Sequence, residues 1–166
     1  MLIFIRRLML ALLILNWIAA AMFVLVGVAV ALAPDAITGP LVARFGDEAA
    51  TLRYAMLTVL AIGLAAAPAV HLIFTRLIAM IDTVRAGTPF APVNADRLRQ
   101  VAWAVLVLQL LDLGFGVVAA RLSAATGEVM AWQFSLTGWL AVLLLFVLAR
   151  VFQQGAAMQD EIEGTV

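Results

Sequence analysis

The sequence contains no cysteine and no lysine, and its one histidine is His71. Without cysteine there is no disulfide exchange, no thiolate nucleophile and no Cys-ligated metal. Without lysine there is no Schiff-base chemistry, and one histidine cannot supply a two-His haem site or a three-His zinc site. No acids, histidine or serine cluster at one depth either. The residues therefore predict a protein that is not an enzyme and has no cofactor.

Charge is scarce as well. Only 12% of the 166 residues are charged, 66% are hydrophobic, and the mean hydropathy is +1.15. A typical soluble domain is about half apolar and a quarter charged. A water-soluble fold of this size could not bury so much apolar surface, whereas a lipid bilayer requires it on the outside. Because the net charge is zero, no direct nucleic-acid partner is expected.

Four apolar runs dominate the chain, at about residues 8–33, 54–74, 101–120 and 130–149. Each is long enough for a hydrocarbon core that needs ~20 helical residues. The first run exceeds a secretory h-region of roughly 7–15 residues, so we expect a retained helix. The sequence predicts an all-α polytopic membrane protein, with four transmembrane helices in a single up-down bundle.

The ten arginines are distributed unevenly around these runs. With four spans, both chain ends lie on one side of the membrane. Three arginines fall on the opposite side, namely Arg44, Arg53 and Arg121. Seven fall on the side of the chain ends, namely Arg6, Arg7, Arg76, Arg85, Arg97, Arg99 and Arg150. Because cytoplasmic segments carry the excess of arginine, this pattern predicts that both termini are cytoplasmic.

Helices 2 and 4 are expected to extend into the cytoplasm, helix 2 into the hairpin loop of residues 75–100 and helix 4 into the tail of residues 150–166. The segment between Pro68 and Gly87 contains no proline, so helix 2 can continue through it. Gly87 should then end helix 2 as a left-handed cap. Asn94 is expected to cap helix 3. Apolar residues recur at helical spacing in both extensions. Two interpretations stay open: these faces pack on each other or on the lipid interface, or they dock a cytosolic partner or a second copy of the chain.

Asp112 is the carboxyl group inside a predicted span. It lies about 16 Å along the helix from Val101, at 1.5 Å per residue. No arginine or histidine is expected at that depth, and desolvation disfavours the charged form. We therefore expect a protonated Asp112 that hydrogen-bonds to a neighbour. The candidate intramembrane polar cluster is Asp112, Gln109, Asn16 and Trp139.

Two roles are considered for Asp112. One is structural polar packing between helices. The other is a proton or cation site in a small transporter or channel subunit, with Asp112 at the polar centre of an oligomer. A proton path usually needs more than one titrating group and none follows here, so the sequence favours polar packing.

Several short segments have a distinctive composition. In chain order they are Gly87-Thr88-Pro89-Phe90, Asn94, Leu98-Arg99, Val151-Phe152-Gln153-Gln154-Gly155, Asp160-Glu161 and Thr165-Val166. In these segments the chain resembles domain of unknown function 2975, a family of small bacterial four-span membrane proteins, over roughly residues 50–166. Glu163-Gly164 departs from the more continuous acidic helix that is typical of the family.

The resemblance implies a bacterial inner-membrane location and no assigned activity. Family members are often encoded beside small helix-turn-helix transcription regulators, so the resemblance also implies a cytosolic regulator as partner. The predicted function is a non-enzymatic membrane partner or anchor of such a regulator. The alternative is the transporter or channel subunit that uses Asp112. The candidate docking residues are Arg76, Arg85, Phe90, Arg97, Arg99, Asp160 and Glu161.

Overall fold

In a computed structural model the chain folds into four long α-helices. They are α1 (Leu2–Leu32), α2 (Ala49–Arg85), α3 (Pro92–Thr126) and α4 (Leu136–Glu163). The structure describes residues 2–33, 49–127 and 129–163 together with 36, 39, 40, 42, 43 and 46, and only the backbone of residues 2, 49 and 159–163.

All four helices are long and apolar enough to cross a membrane, by length and composition. Their membrane-length segments hold 30, 36, 35 and 23 residues, against the ~20 that a hydrocarbon core needs. α2 continues through Pro68 without ending, as transmembrane helices tolerate. The prediction of an all-α chain with four such helices is confirmed.

Two compact units divide the chain. The first unit consists of Met1–Leu15, Ala69–Gln109 and Ser135–Val166, and the second unit of Asn16–Pro68 and Leu110–Phe134.

In the second unit, α1 and α2 are antiparallel neighbours. The Phe23 ring lies against Gly63, and the Asn16 amide donates a hydrogen bond of 3.1 Å to the Ala67 carbonyl. Residue numbers thus fall along α1 as they rise along α2. Phe23 can reach the α2 backbone because Gly63 has no side chain, and small residues permit such close approach between apolar helices.

In the first unit, the remaining sequential pairs are antiparallel too. α2 meets α3 where the Arg97 guanidinium bonds to the Ala79 carbonyl at 3.1 Å. α3 meets α4 where the Trp103 and Phe146 rings stand edge to face with centroids 5.3 Å apart. Farther along the same pair of helices, the Gln109 amide lies against Gly138.

Small side chains are buried and large apolar ones are exposed. The buried apolar residues are Ala20, Val30, Ala67, Ile78, Leu98, Val101, Ala102, Ala104, Ala119, Val142, Ala149 and Ala156. Leucine, isoleucine, valine and phenylalanine cover much of the outside. This distribution is the reverse of a soluble protein and suits helices that approach closely inside and face lipid outside.

The start of α4 differs from the predicted fourth span. The helix begins at Leu136 rather than at Met130. Gly127 has a left-handed φ of 68°, which stops α3. The Met130 amide then bonds to the Ser123 hydroxyl at 2.9 Å, and the Trp132 ring covers Gly116. Residues 129–134 are mostly apolar but do not extend α4, because Met130 and Trp132 contact α3 instead.

Ser135 fixes the point at which α4 begins. Its hydroxyl accepts a hydrogen bond of 3.3 Å from the Gly138 amide, which is the geometry of a side-chain N-cap.

Candidate functional site: the junction of the α2–α3 turn with α4

The turn between α2 and α3 is closed by backbone hydrogen bonds. Gly87 has φ 81°, and its amide bonds to the Val84 carbonyl while the Thr88 amide bonds to the Thr83 carbonyl. This pair of bonds is the Schellman motif. The prediction that Gly87 ends helix 2 as a left-handed cap is confirmed.

Asn94 does not act as the predicted N-cap. α3 begins two positions earlier, at Pro92, and proline is favoured in the first helical turn because its missing N–H needs no partner there. The Asn94 backbone amide instead bonds to the Ala91 carbonyl at 2.8 Å. The prediction of an Asn94 cap is therefore wrong, since the helix has already started.

The Asn94 side chain instead ties the turn together. It is 1% exposed. Its Nδ2 donates to the Thr83 hydroxyl at 2.8 Å and to the Pro89 carbonyl at 2.9 Å. Its Oδ1 accepts from Arg97 Nη1 at 3.0 Å. Three of the bonds that an amide can make are formed, so a buried polar group that would otherwise be costly is satisfied.

Two of the predicted docking arginines are partly buried and take part in packing. Arg97 Nη1 bonds both to the Asn94 Oδ1 and to the Ala79 carbonyl. Arg76 is half-buried, and among the described residues its Nε has no hydrogen-bond partner. The Arg97 guanidinium therefore joins α3 to α2, and Arg76 presents only part of its side chain to a partner.

Two other predicted docking arginines are exposed and paired with acids. Arg85 lies 3.7 Å from Asp82, which also receives a 3.2 Å bond from Arg6 in α1. Arg99 lies 3.0 Å from Asp96. The arginine side chains in these pairs are 45% and 62% exposed, and exposed ion pairs contribute little stability. Their charges are thus available to a partner.

Phe90 joins the α2–α3 turn to α4. Its ring centroid lies 5.6 Å from that of Phe152 at an interplanar angle of 39°. The Phe90 ring also lies 3.6 Å from the position that a Cβ atom would occupy at Gly155 of α4. Phe90 nevertheless stays 49% exposed. The contact fixes the ring against α4 and leaves half of it open to solvent or lipid.

The α4 extension buries only part of its apolar residues. Val151 and Met158 follow the helical spacing that predicts an apolar face, yet they are 54% and 64% exposed, while Phe152 is half-buried. Ala149 and Ala156 are buried instead, because their small side chains permit a closer helix contact. The side chains of Asp160 and Glu161, and residues 164–166, lie outside the described part of the chain.

A small cavity with charged residues in its lining lies between α3 and α4. Its volume is about 120 Å³. It is lined by Ala95, Asp96, Arg99, Phe146, Ala149, Arg150 and Gln153. Arg99 and Arg150 give it two positive charges against one carboxylate. Such a cavity could accept an acidic side chain.

The predicted intramembrane polar cluster is divided between the two units. Asp112 and Asn16 belong to the second unit, and Gln109 and Trp139 to the first. Asn16 donates to the Ala67 carbonyl. The Gln109 Nε2 is buried without a hydrogen-bond partner among the described residues. The cluster as a set of four remains a prediction.

Asp112 itself is half-buried in α3. It is not among the residues that line the cavity between α3 and α4. The described residues also contain no group of three or more His, Cys, Asp or Glu side chains that could hold a metal ion.

The four helices define the class of protein. Four membrane-length helices with an apolar exterior are typical of multi-pass membrane proteins. The model of the family described as protein of unknown function DUF2975 matches residues 41–166, most of the chain. The chain therefore belongs to this family. No curated protein and no solved structure matches it.

Proposed function

We propose that this chain is a non-enzymatic membrane protein of the bacterial inner membrane that docks a cytosolic helix-turn-helix regulator. The docking surface is the junction surface, defined as Arg85, Phe90, Arg99, Arg150 and Phe152. The observation that carries the proposal is the fixed but half-exposed Phe90 ring, held against α4 in a unit whose Arg85, Arg99 and Arg150 are exposed. Aromatic residues and arginine are enriched at the energetic centres of protein interfaces.

The orientation supports this proposal. Because cytoplasmic segments carry the excess of arginine, the side of the membrane with seven arginines is the cytoplasmic side, and the junction surface faces the cytoplasm. α2 has 37 residues, whereas ~20 suffice to span a membrane, so part of it is available outside the bilayer. The backbone bonds of the turn and the Asn94 hydrogen bonds preorganise this part, and preorganisation reduces the entropy that binding would otherwise cost.

The first test is co-purification from the native bacterium in a mild detergent, with associated proteins identified by mass spectrometry. A photocrosslinking residue at position 90 should trap a helix-turn-helix protein, while the same residue at position 54 should not. Tyr54 is a matched control, because it is an exposed aromatic residue of the second unit. Absence of a DNA-binding protein from the position-90 adduct would contradict the proposal.

The second test measures affinity with the purified pair. Phe90→Ala should weaken binding by more than ~10-fold, as truncation of an interface hot spot does, and Tyr54→Ala should leave it unchanged. Arg99→Glu should mainly slow association and make it less dependent on salt. Equal affinities of the Phe90→Ala variant and the unmodified protein would exclude this docking surface.

A second candidate function is a small transporter or channel subunit. It is favoured by the position of Asp112, a half-buried carboxyl group within a membrane-length helix. Intramembrane acids often mark ion paths. In proteoliposomes, Asp112→Asn should abolish any proton or cation flux that the protein supports, while Asp96→Asn should not. Flux that survives Asp112→Asn would exclude coupling through this residue.

A further inference from the structure

The second unit contains an open cavity with an apolar lining. Its volume is about 300 Å³, twice that of an engineered cavity of about 150 Å³ that takes up benzene. Its lining consists of Val26, Ala55, Met56, Val59, Leu60, Phe115, Val118, Ala119, Leu122 and Met130. No charged or hydroxyl-bearing side chain is among them. The cavity therefore has the chemistry of a site for a hydrocarbon chain.

A second cavity, called here the polar cavity, adjoins the first and has several polar groups in its lining. Its volume is about 290 Å³. It shares Ala55, Val118 and Leu122 with the apolar cavity. The residues that it adds are Thr51, Tyr54, Thr58, Val117 and Arg121. Hydroxyl groups and one guanidinium thus stand directly beside the apolar lining.

Arg121 gives the polar cavity a positive charge. It is exposed and forms no ion pair with any residue that the structure describes. Arginine presents several N–H groups in a planar fork that matches phosphate oxygens. The charge is thus free to attract an anionic group at the open side of the cavity.

The order of the lining residues along the helices matches the layers of a bilayer. Tyr54 and Arg121 lie near the α2 and α3 ends that adjoin the helix boundaries at Ala49 and Thr126. Leu60 and Phe115 lie farther from those ends. In membrane-spanning helices, residues near the ends meet the headgroups and residues farther in meet hydrocarbon.

We propose that these two cavities form one binding site for an anionic phospholipid. One acyl chain occupies the apolar cavity, and the headgroup phosphate contacts Arg121 with the hydroxyls of Thr51 and Tyr54, since the Thr58 hydroxyl already donates to the Tyr54 carbonyl. A chain in the bilayer is already in hydrocarbon, so the apolar cavity contributes shape rather than a large transfer free energy. The preference for this lipid over a neutral one comes from Arg121. This site is independent of the junction surface.

The test is lipid retention by the full chain. The protein is placed in nanodiscs of phosphatidylcholine containing one tenth phosphatidylglycerol, released gently, and analysed by native mass spectrometry. Arg121→Gln should reduce the retained phosphatidylglycerol about fivefold, the effect of one arginine near an anionic surface. Arg7→Gln, which removes an exposed arginine of the first unit, should have no effect. Equal losses in both variants, or in neither, would overturn the proposal.

A second variant, Ala55→Phe, tests whether an acyl chain occupies the apolar cavity. Ala55→Phe places a ring where the two cavities meet and should displace the acyl chain, so retention of phosphatidylglycerol falls while tryptophan fluorescence and thermal unfolding stay near those of the unmodified protein. Unchanged retention in a folded Ala55→Phe variant would overturn the proposal. So would a dimer that both Arg121→Gln and Ala55→Phe dissociate, because a second copy would then occupy the groove.

Discussion

The two units of this protein differ in how much their helix contacts rely on hydrogen bonds. In the first unit, α2 and α3 are joined by a buried amide and a guanidinium that bond to side chains and backbone carbonyls. In the second unit, aromatic rings lie directly on glycine backbone at Gly63 and Gly116. A hydrogen bond requires a particular donor and acceptor in a suitable geometry. Close packing instead requires side chains of suitable volume. The two units should therefore respond to different kinds of substitution.

The largest effect is expected from Asn94→Leu in the first unit. It removes the Asn94 hydrogen bonds to Thr83, to Arg97 and to the Pro89 carbonyl. Losing these bonds at a buried position should cost about 3 kcal/mol of unfolding free energy. This loss of unfolding free energy is measured by SDS-induced unfolding in mild detergent, monitored by tryptophan fluorescence. Gln153→Leu, at an exposed position of α4, is the control. A loss below that of the control would show that the turn does not depend on Asn94.

The second-largest loss of unfolding free energy is expected from Gly116→Ala in the second unit. The new methyl group would lie 2.5 Å from the Trp132 ring, and this overpacking should cost about 2 kcal/mol. Gly114→Ala is the matched control in the same helix, because its methyl group meets Ile62 at an ordinary 3.9 Å. The same unfolding assay compares the two variants. If both are equally stable, packing of Trp132 on Gly116 does not hold the second unit together.

Gly138→Ala should have a smaller effect than Gly116→Ala. The new methyl group would meet the Gln109 amide, which sits at the end of a flexible side chain and can move. The gain in helix propensity from glycine to alanine, up to ~1 kcal/mol, offsets part of the remaining strain. We expect a net change below ~1 kcal/mol in the SDS assay. A cost as large as that of Gly116→Ala would contradict the distinction between a flexible and a rigid neighbour.

The smallest effect is expected from Asp82→Asn. It removes the pairs with Arg6 and Arg85, whose side chains are 38% and 45% exposed. Exposed pairs of this kind are worth about 0.5 kcal/mol and are screened by salt. The unfolding free energy should fall slightly at low salt and not at high salt. A larger, salt-independent loss would mean that the first unit relies on charges rather than on the buried hydrogen bonds around Asn94.

Some local features could be predicted from short segments. Gly87 followed by Thr88 and Pro89 predicts the helix stop, because left-handed backbone favours glycine and proline cannot continue the helix. The start of α4 could not be predicted in this way. Residues 130–135 are apolar enough to extend the span, and only the contacts of Trp132 with Gly116 and of Met130 with Ser123 place them along α3.

The candidate site could be predicted only in part. Arg85, Phe90 and Arg99 are exposed, as a docking surface requires. Arg97 looked equivalent to Arg99 in the sequence, yet it bonds to Ala79 and Asn94. Residues that are two positions apart in a helix, such as Arg97 and Arg99, point to different faces. Which face meets α2 depends on how the helices pack.

The sequence alone determined the four membrane-length helices, because a long run of apolar residues satisfies its backbone hydrogen bonds only within a helix when it lies in lipid. It also determined the family, through short segments at the helix ends. Only the tertiary structure decided which partners these side chains have: Asn16 with Ala67, Asn94 with the turn, and Phe90 with Phe152. The reason is that these contacts depend on how the helices are rotated against each other, and many rotations would satisfy the same apolar pattern.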